Sequence, residues 1–386
     1  MQLGGFRYQN NRERIKLRLV PVTLLRAGMK LGKKIYNENG MVLLSEGVEL
    51  TSRLIERLGQ VGIGYVYIED AVTEDIVIPE MIHEQTRAAA LQEIKKQFQG
   101  LSSYSVDHKH QYFGKSFYKV MESILDDIGG RQDAIIMLMD IGAADQDLYH
   151  HSLNVCLYSL VLGISSGYDN NQLMELGIGS LLHDIGKMKI SPQVLYKPGK
   201  LTDEEYEHMK THTVIGYKLL KDEPGIPLLS AHCALQHHER IDGSGYPNGW
   251  KKDQIHEYAK WIGLVDSYDA MTASRIYKQP LLPYEAMEVL YAGAGTLYEQ
   301  RMLEAFRDCV AIYPLGLSVV LNTGEEGVVV RIHSKIPQRP VIRIVRDRDG
   351  QELKAPYDVD LSVSLSVMIT NTLGATASPF GAIHVD

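Results

Sequence analysis

Cysteine is scarce in this chain: Cys156, Cys233 and Cys309 are the only three, far apart and without a Cys-x-x-Cys spacing. That argues against a disulfide framework and a zinc ribbon, and fits buried thiols in a reducing compartment. Long hydrophobic runs are lacking as well. The longest, near Val155 to Ile164, is too short and interrupted to span a bilayer, and the basic segment with Arg7, Arg12, Arg14, Lys16 and Arg18 is not followed by the apolar stretch of a signal peptide. The expectation is a cytoplasmic protein with no membrane partner. Net positive charge is also missing: the formal charge is −8 and no long Lys/Arg run occurs. A nucleic-acid polymer is therefore not the expected partner, although a local basic pocket for a small anion remains open.

What is present is ample apolar material, 45% of 386 residues, which predicts more than one domain with real cores. From Leu19 to about Ile78 the texture is short and β-rich, with an Asn39-Gly40 hairpin signal, a short helix opened by Thr51 and a returning strand at Tyr65 to Ile68. Helical periodicity then runs from Phe117 to Tyr313 almost without strand signals. After Pro314 alternating β-branched residues return, at Val319 to Leu321, Val328 to Ile332, Val341 to Val345 and Leu361 to Val367, with a soft tail from about Leu373. The expected fold is multi-domain: a small N-terminal α+β module (1–78), a central all-α domain (79–313) and a small C-terminal β-barrel-like module (314–386).

Nine of the fourteen histidines fall between His150 and His256, and their spacing carries the chemical argument. Asp147 and His151 are i and i+4, so they share a helix face. His183 and Asp184 are adjacent, with Lys187 three and four residues on, so all three can face one pocket. A carboxylate has two oxygens and can bridge two cations, whereas an imidazole gives one nitrogen per metal. His208 and His212 repeat the i and i+4 spacing. His237 and His238 point about 100° apart on a helix, so both reach one ion only near its end, where Asp242-Gly243-Ser244-Gly245 supplies a turn and Tyr246-Pro247 follows.

Leu181 to Lys187 (Leu-Leu-His-Asp-Ile-Gly-Lys) and His237 to Pro247 (His-His-Glu-Arg-Ile-Asp-Gly-Ser-Gly-Tyr-Pro) resemble the HD-GYP family of cyclic dinucleotide phosphodiesterases, and the match extends from about Asp147 to Phe306. The resemblance implies an HD-type helical domain with His151, His183, Asp184, His212, His237, His238 and Asp266 as metal ligands. It makes Asp184 the bridge between the ions and Asp147 a third-metal ligand where that side chain is acidic. His208 is left on the solvent side, and Asp269 is expected to support the ligands. The catalytic residues would be His183, Asp184 and Lys187. Lys187, Gly245, Tyr246, Arg275 and Lys278 would contact substrate. The implied cofactors are two or three divalent ions, with Fe or Mn favoured by mixed His/carboxylate ligation. The implied substrate is cyclic di-GMP, cleaved to pGpG and onward to GMP. Two alternatives stand beside it: a cyclic-dinucleotide-binding regulator with little turnover, and an HD-type phosphohydrolase for another nucleotide. A homodimer or a regulatory protein partner is also open. Four departures from the family pattern stand out: Ser274 for a common acidic residue, Trp250 for Leu, Lys260 for Arg, and Tyr298-Glu299-Gln300 for a Phe-Asp-Pro-like string.

Overall fold

The computed structural model describes residues 17–36, 42–70, 73, 81–102, 113–129, 148–273 and 280–373. The first part contains β1 (Leu17–Pro21), β2 (Ile35–Tyr36), β3 (Val42–Leu44), α1 (Ser52–Gln60) and β4 (Tyr65–Glu69). Thr51 opens α1 as expected, its hydroxyl accepting a hydrogen bond from the backbone N–H of Leu54 at 3.3 Å. Strands β1 and β4 pair antiparallel, with Leu19 opposite Tyr67. Because side chains alternate across a strand, this ladder buries both faces. Val20, Val66 and Ile68 enter a cluster with Leu31, Ile35, Leu50 and Leu58, whereas Leu17, Leu19, Tyr65 and Tyr67 point the opposite way.

The helical part comprises α2 (Glu84–Ser102), α3 (Gly114–Gly129), α4 (Leu148–Ser165), α5 (Asn170–Leu182), α6 (Pro192–Leu195), α7 (Asp203–Leu220), α8 (Leu228–Gln236), α9 (Glu257–Thr272), α10 (Pro283–Ala292) and α11 (Gln300–Cys309). Helix α3 buries Phe117, Met121, Ile124 and Ile128, a stripe at helical spacing. By contrast α4 and α9 are buried on most of their surface, and they form the centre against which α2, α5, α8, α10 and α11 pack. Two helix starts are fixed by reciprocal capping boxes, Asp169 with Gln172 for α5 and Thr202 with Glu205 for α7. A single large apolar cluster runs from Ile82 through Leu157, Leu181 and Tyr268 to Val310.

The C-terminal strands are β5 (Ser318–Leu321), β6 (Glu326–Arg331), β7 (Val341–Arg346), β8 (Glu352–Asp360) and β9 (Ile369–Thr372). They pair in the order β8-β7-β6-β5-β9. This is an open sheet: among the described residues no ladder joins β8 to β9, so the closure of a barrel is not formed. Leu361 to Val367 is not the strand its alternation predicted. Arg339 instead gathers the carbonyls of Leu361 (2.8 Å), Ser364 (3.1 Å) and Val367 (3.1 Å). With those acceptors satisfied in turns, the ladder partner is the charged segment β8. The sheet shares its core with the N-terminal ladder, since Leu17, Leu19, Tyr65 and Tyr67 pack with Leu317, Val319, Val329, Ile342 and Ile344. Polar contacts reinforce this seam: the Leu19 N–H donates to the Gly316 carbonyl at 2.9 Å, and the Arg18 guanidinium to the Ser318 hydroxyl at 3.1 Å. The Asn39-Gly40 turn lies outside the described residues.

Candidate metal centre

Five helices and one tight turn converge to place seven ligand-type side chains. His151 sits in the first turn of α4, His183 caps the C-terminus of α5 and Asp184 begins the tight turn Ile185–Lys189. His212 projects from α7, His237 caps α8 with His238 just beyond it, and Asp266 comes from the middle of α9. The turn after Asp184 needs glycine, because a Cβ on Gly186 would lie 1.9 Å from the His212 carbonyl oxygen. That close approach sets the His183-Asp184 pair directly against α7.

The donor atoms form two groups, His151, His183 and Asp266, and Asp184, His212, His237 and His238, each within 4.8 Å of one another. Asp184 faces both. Its Oδ2 lies 3.6 Å from His151 Nε2 and 3.4 Å from His183 Nε2, while its Oδ1 lies 3.4 Å from His212 Nε2 and 3.7 Å from His237 Nε2. His151 Nε2 is also 3.1 Å from Asp266 Oδ1. The carboxylate therefore spans the two groups, one oxygen toward each.

The hydrogen bonds behind the histidines fix which nitrogen points inward. His183 Nδ1 donates to the Ser180 carbonyl and His212 Nδ1 to the Met209 carbonyl, both at 2.7 Å. His237 Nδ1 is shared between the carbonyls of Cys233 and Ala234 at 3.1 Å each, and His151 Nδ1 donates to Asp269 Oδ2 at 2.7 Å. With that proton committed, Nε2 of His183, His212 and His237 presents a lone pair to the centre in neutral imidazole, whereas His151 faces a carboxylate from each of its ring nitrogens. His212 Nε2 and His237 Nε2 consequently face each other as acceptors at 3.4 Å. His183 Nε2, Asp184 Oδ1 and His238 Nδ1 are buried without a hydrogen-bond partner. Acceptors crowded together in a buried site are costly unless a cation lies among them, so this donor set fits divalent metal binding.

The electrostatics agree with that fit. Burial pushes the His212 imidazole down to about 3 and also lowers His237 and His238. These rings are neutral, as ligands must be. Burial opposes ionisation of Asp184, but Lys187 and His183 hold it well below the ordinary carboxylate range; for Asp266 the hydrogen bond from His151 does the same. Burial likewise lowers His151, yet Asp266 and Asp269 prevail and lift it to about 10.

Around the centre, Lys187 Nζ lies 2.6 Å from Asp184 Oδ2. The Tyr246 ring stacks on His238 with centroids 4.6 Å apart. Gly245 has a packing role: a Cβ there would meet the Arg240 nitrogen and the His238 oxygen at 2.4 Å, so the turn folds down on its own preceding backbone. Glu239, which the sequence reading passed over, anchors that turn by accepting from the N–H groups of Asn248 (2.8 Å) and Trp250 (2.9 Å). Arg240, also passed over, donates to the His237 carbonyl at 3.3 Å and lies 5.3 Å from the Tyr298 ring. Tyr298 in turn donates to Ser267 at 2.8 Å, and Lys260 pairs with Glu299 at 2.6 Å. The departures at Lys260 and Tyr298-Glu299 thus form partnered contacts beside the site. A buried Glu-Arg pair following two histidines was the available signal for the missed residues.

All seven expected ligands come together, and Lys187 and Tyr246 adjoin them. Asp269 supports His151 and also accepts from the Asn154 amide at 3.2 Å, whereas His208 is exposed. Asp147, Arg275 and Lys278 lie outside the described residues.

The sequence pattern of the HD domain matches residues 139–302, and that of a KOW domain associated with the HD domain matches residues 318–377. A cyclic di-GMP phosphodiesterase of Pseudomonas aeruginosa is 35% identical over 212 residues, 55% of this chain and 51% of that protein. A cyclic di-GMP phosphodiesterase of Thermotoga maritima is 39% identical over 163 residues, 42% of this chain and 44% of its own length. The chain thus spans about half the length of these curated relatives. In fold it is similar to the HDG"Y"P protein Bd1817 of Bdellovibrio bacteriovorus, with a TM-score of 0.50 at 17% identity over 76% of this chain and 99% of that one. Among the described residues no helix is long and apolar enough to cross a membrane. Through its central helical part, with the His-Asp pair and the Gly-Tyr-Pro turn meeting at one centre, this chain carries an HD domain similar to those of cyclic di-GMP phosphodiesterases.

Proposed function

We propose that the chain is a metal-dependent phosphodiesterase that hydrolyses cyclic di-GMP to pGpG and onward to GMP. The observation that carries this reading is Asp184, with one oxygen toward His151 and His183 and the other toward His212 and His237. Such a set would hold two divalent ions, Fe or Mn by the mixture of imidazole and carboxylate, and Asp147 would add a ligand for a third. When bound, the ions neutralise charge on the phosphate and supply an activated water. The protein's own groups do the rest. His212, His237 and His238 stay neutral, and the Nδ1 hydrogen bonds of His151, His183, His212 and His237 orient those rings. Lys187, fixed against Asp184, offers a cation to a phosphate oxygen and a proton to the leaving alkoxide. Tyr246 and Gly245 shape the mouth, and Arg275 and Lys278 are assigned to the substrate phosphates.

The test is product identification by chromatography after incubating the purified protein with Mn or Fe and cyclic di-GMP, alongside hybrid cyclic dinucleotides and nucleoside phosphates. Appearance of pGpG as the main product is expected. Turnover confined to another nucleotide would overturn the substrate, and tight binding without any product would overturn the activity. Arg275→Ala should weaken substrate binding and leave metal content intact.

A further inference from the structure

We infer that Tyr206 and Lys210 of α7 form a second anchoring point for the substrate, in which the Lys210 ammonium receives the phosphate that is not held at the His-Asp centre. This rests on the cyclic-dinucleotide reading above and extends it to residues that the family motifs do not include.

Tyr206 and Lys210 are i and i+4, so they share a face of the helix that also carries His212. The Lys210 ammonium lies over two aromatic rings, 5.2 Å from the centroid of Tyr206 and 5.7 Å from that of Tyr246. Tyr246 is the ring stacked on His238 at 4.6 Å, and it also meets His212 at 6.4 Å and Tyr206 at 6.4 Å. The chain of contacts therefore runs from metal-ligand histidines to Tyr246 and from there to a positive charge. Two ring faces hold that ammonium in place and shed part of its water, with its side chain only 23% exposed. Its carboxylate partner, Glu207, is 69% exposed. An ion pair so open to solvent contributes little and yields readily to a phosphate, which offers Lys210 a stronger charge-assisted contact.

A cyclic dinucleotide carries two phosphates, whereas only one can be cut at a time. The second needs a counter-charge outside the ligand cluster, and its neighbouring purines need flat apolar surface. Lys210 supplies the first, and Tyr206 with Tyr246 the second.

The experiment compares Lys210→Met, Lys210→Arg and Tyr206→Leu with the unmodified protein on two substrates, cyclic di-GMP and the single-phosphate diester bis(p-nitrophenyl) phosphate. Lys210→Met should lose at least about tenfold in kcat/KM for cyclic di-GMP relative to the simple diester, with the loss in KM, and Lys210→Arg should recover most of it. Calorimetric titration of cyclic di-GMP into metal-stripped protein should rank the variants in the same order. Equal losses on both substrates would mark a structural effect and overturn the assignment. Cyclic di-GMP binding that Lys210→Met leaves unchanged would overturn it while leaving the proposed function standing. Failure of the unmodified protein to bind cyclic di-GMP at all would overturn both.

Discussion

The two ligand groups that share Asp184 are built on different supports. In one, His183 rests on the Ser180 carbonyl, but His151 is backed by the carboxylate of Asp269 and faces Asp266. In the other, His212 and His237 are backed by backbone carbonyls of their own helices. The first group is rich in negative charge and tunable through side chains. The second is nearly all neutral imidazole, its His212 and His237 rings held by backbone carbonyls that no side-chain substitution removes. A carboxylate behind an imidazole raises its basicity more than a carbonyl does, so the two positions should differ in affinity and in their response to mutation.

Asp184→Ala should erase the distinction, because both groups lose their common oxygen donor. Metal analysis should find both positions depleted, and hydrolysis should fall by at least about 10³-fold, the scale expected when charge stabilisation at a reacting phosphate is lost. Normal metal content would contradict the bridging role. Asp266→Ala should instead deplete the His151 group and spare the other, visible as the loss of one class of bound metal. Asp269→Asn is finer still: it keeps the shape but removes the charge behind His151, and should weaken metal at that position by roughly 10- to 100-fold, with no comparable change at the His212 position. Equal weakening of both would dissolve the comparison. Gly186→Ala attacks the other group through the backbone, forcing the turn away from His212; a cost of about 1–3 kcal/mol and a lower melting temperature should appear in thermal unfolding. Smallest of all, Tyr298→Phe removes a hydrogen bond to Ser267, the residue after Asp266, without touching a ligand atom, and should cost about 1 kcal/mol without altering metal content.

The His-Asp pair with Lys187 and the His-His pair before a glycine turn stood out by local spacing, whereas spacing left His208 and His212 equivalent, and His212, His151 and Asp266 were picked out by the resemblance to the HD-GYP family. What was not legible depended on distance or on backbone. No local pattern reveals that Asp184 turns one oxygen to each group, or that the Ser180, Met209 and Cys233 carbonyls orient the rings. Glu239 looked like part of a motif string and proved to be the anchor of the Gly-Tyr-Pro turn. In the C-terminal sheet, Leu361 to Val367 had the alternation of a strand, but Arg339 satisfies its carbonyls in turns. The real edge strand, Glu352–Asp360, hid behind charge and a proline, as exposed edges do.

The seam between the N-terminal ladder and the C-terminal sheet has a consequence for how the chain is made. Arg18 and Ser318, which touch across it, are separated by 300 positions in sequence. On a ribosome, the apolar face of Leu17, Leu19, Tyr65 and Tyr67 emerges first and must wait for nearly the whole helical domain to be synthesised before its cover exists. At roughly 5–20 residues per second that wait lasts on the order of tens of seconds. These strands are made before the helical domain and covered only after it, so ribosome-bound nascent chains ending before residue 314 should expose this face to chaperones, and chains extended past Ile344 should conceal it.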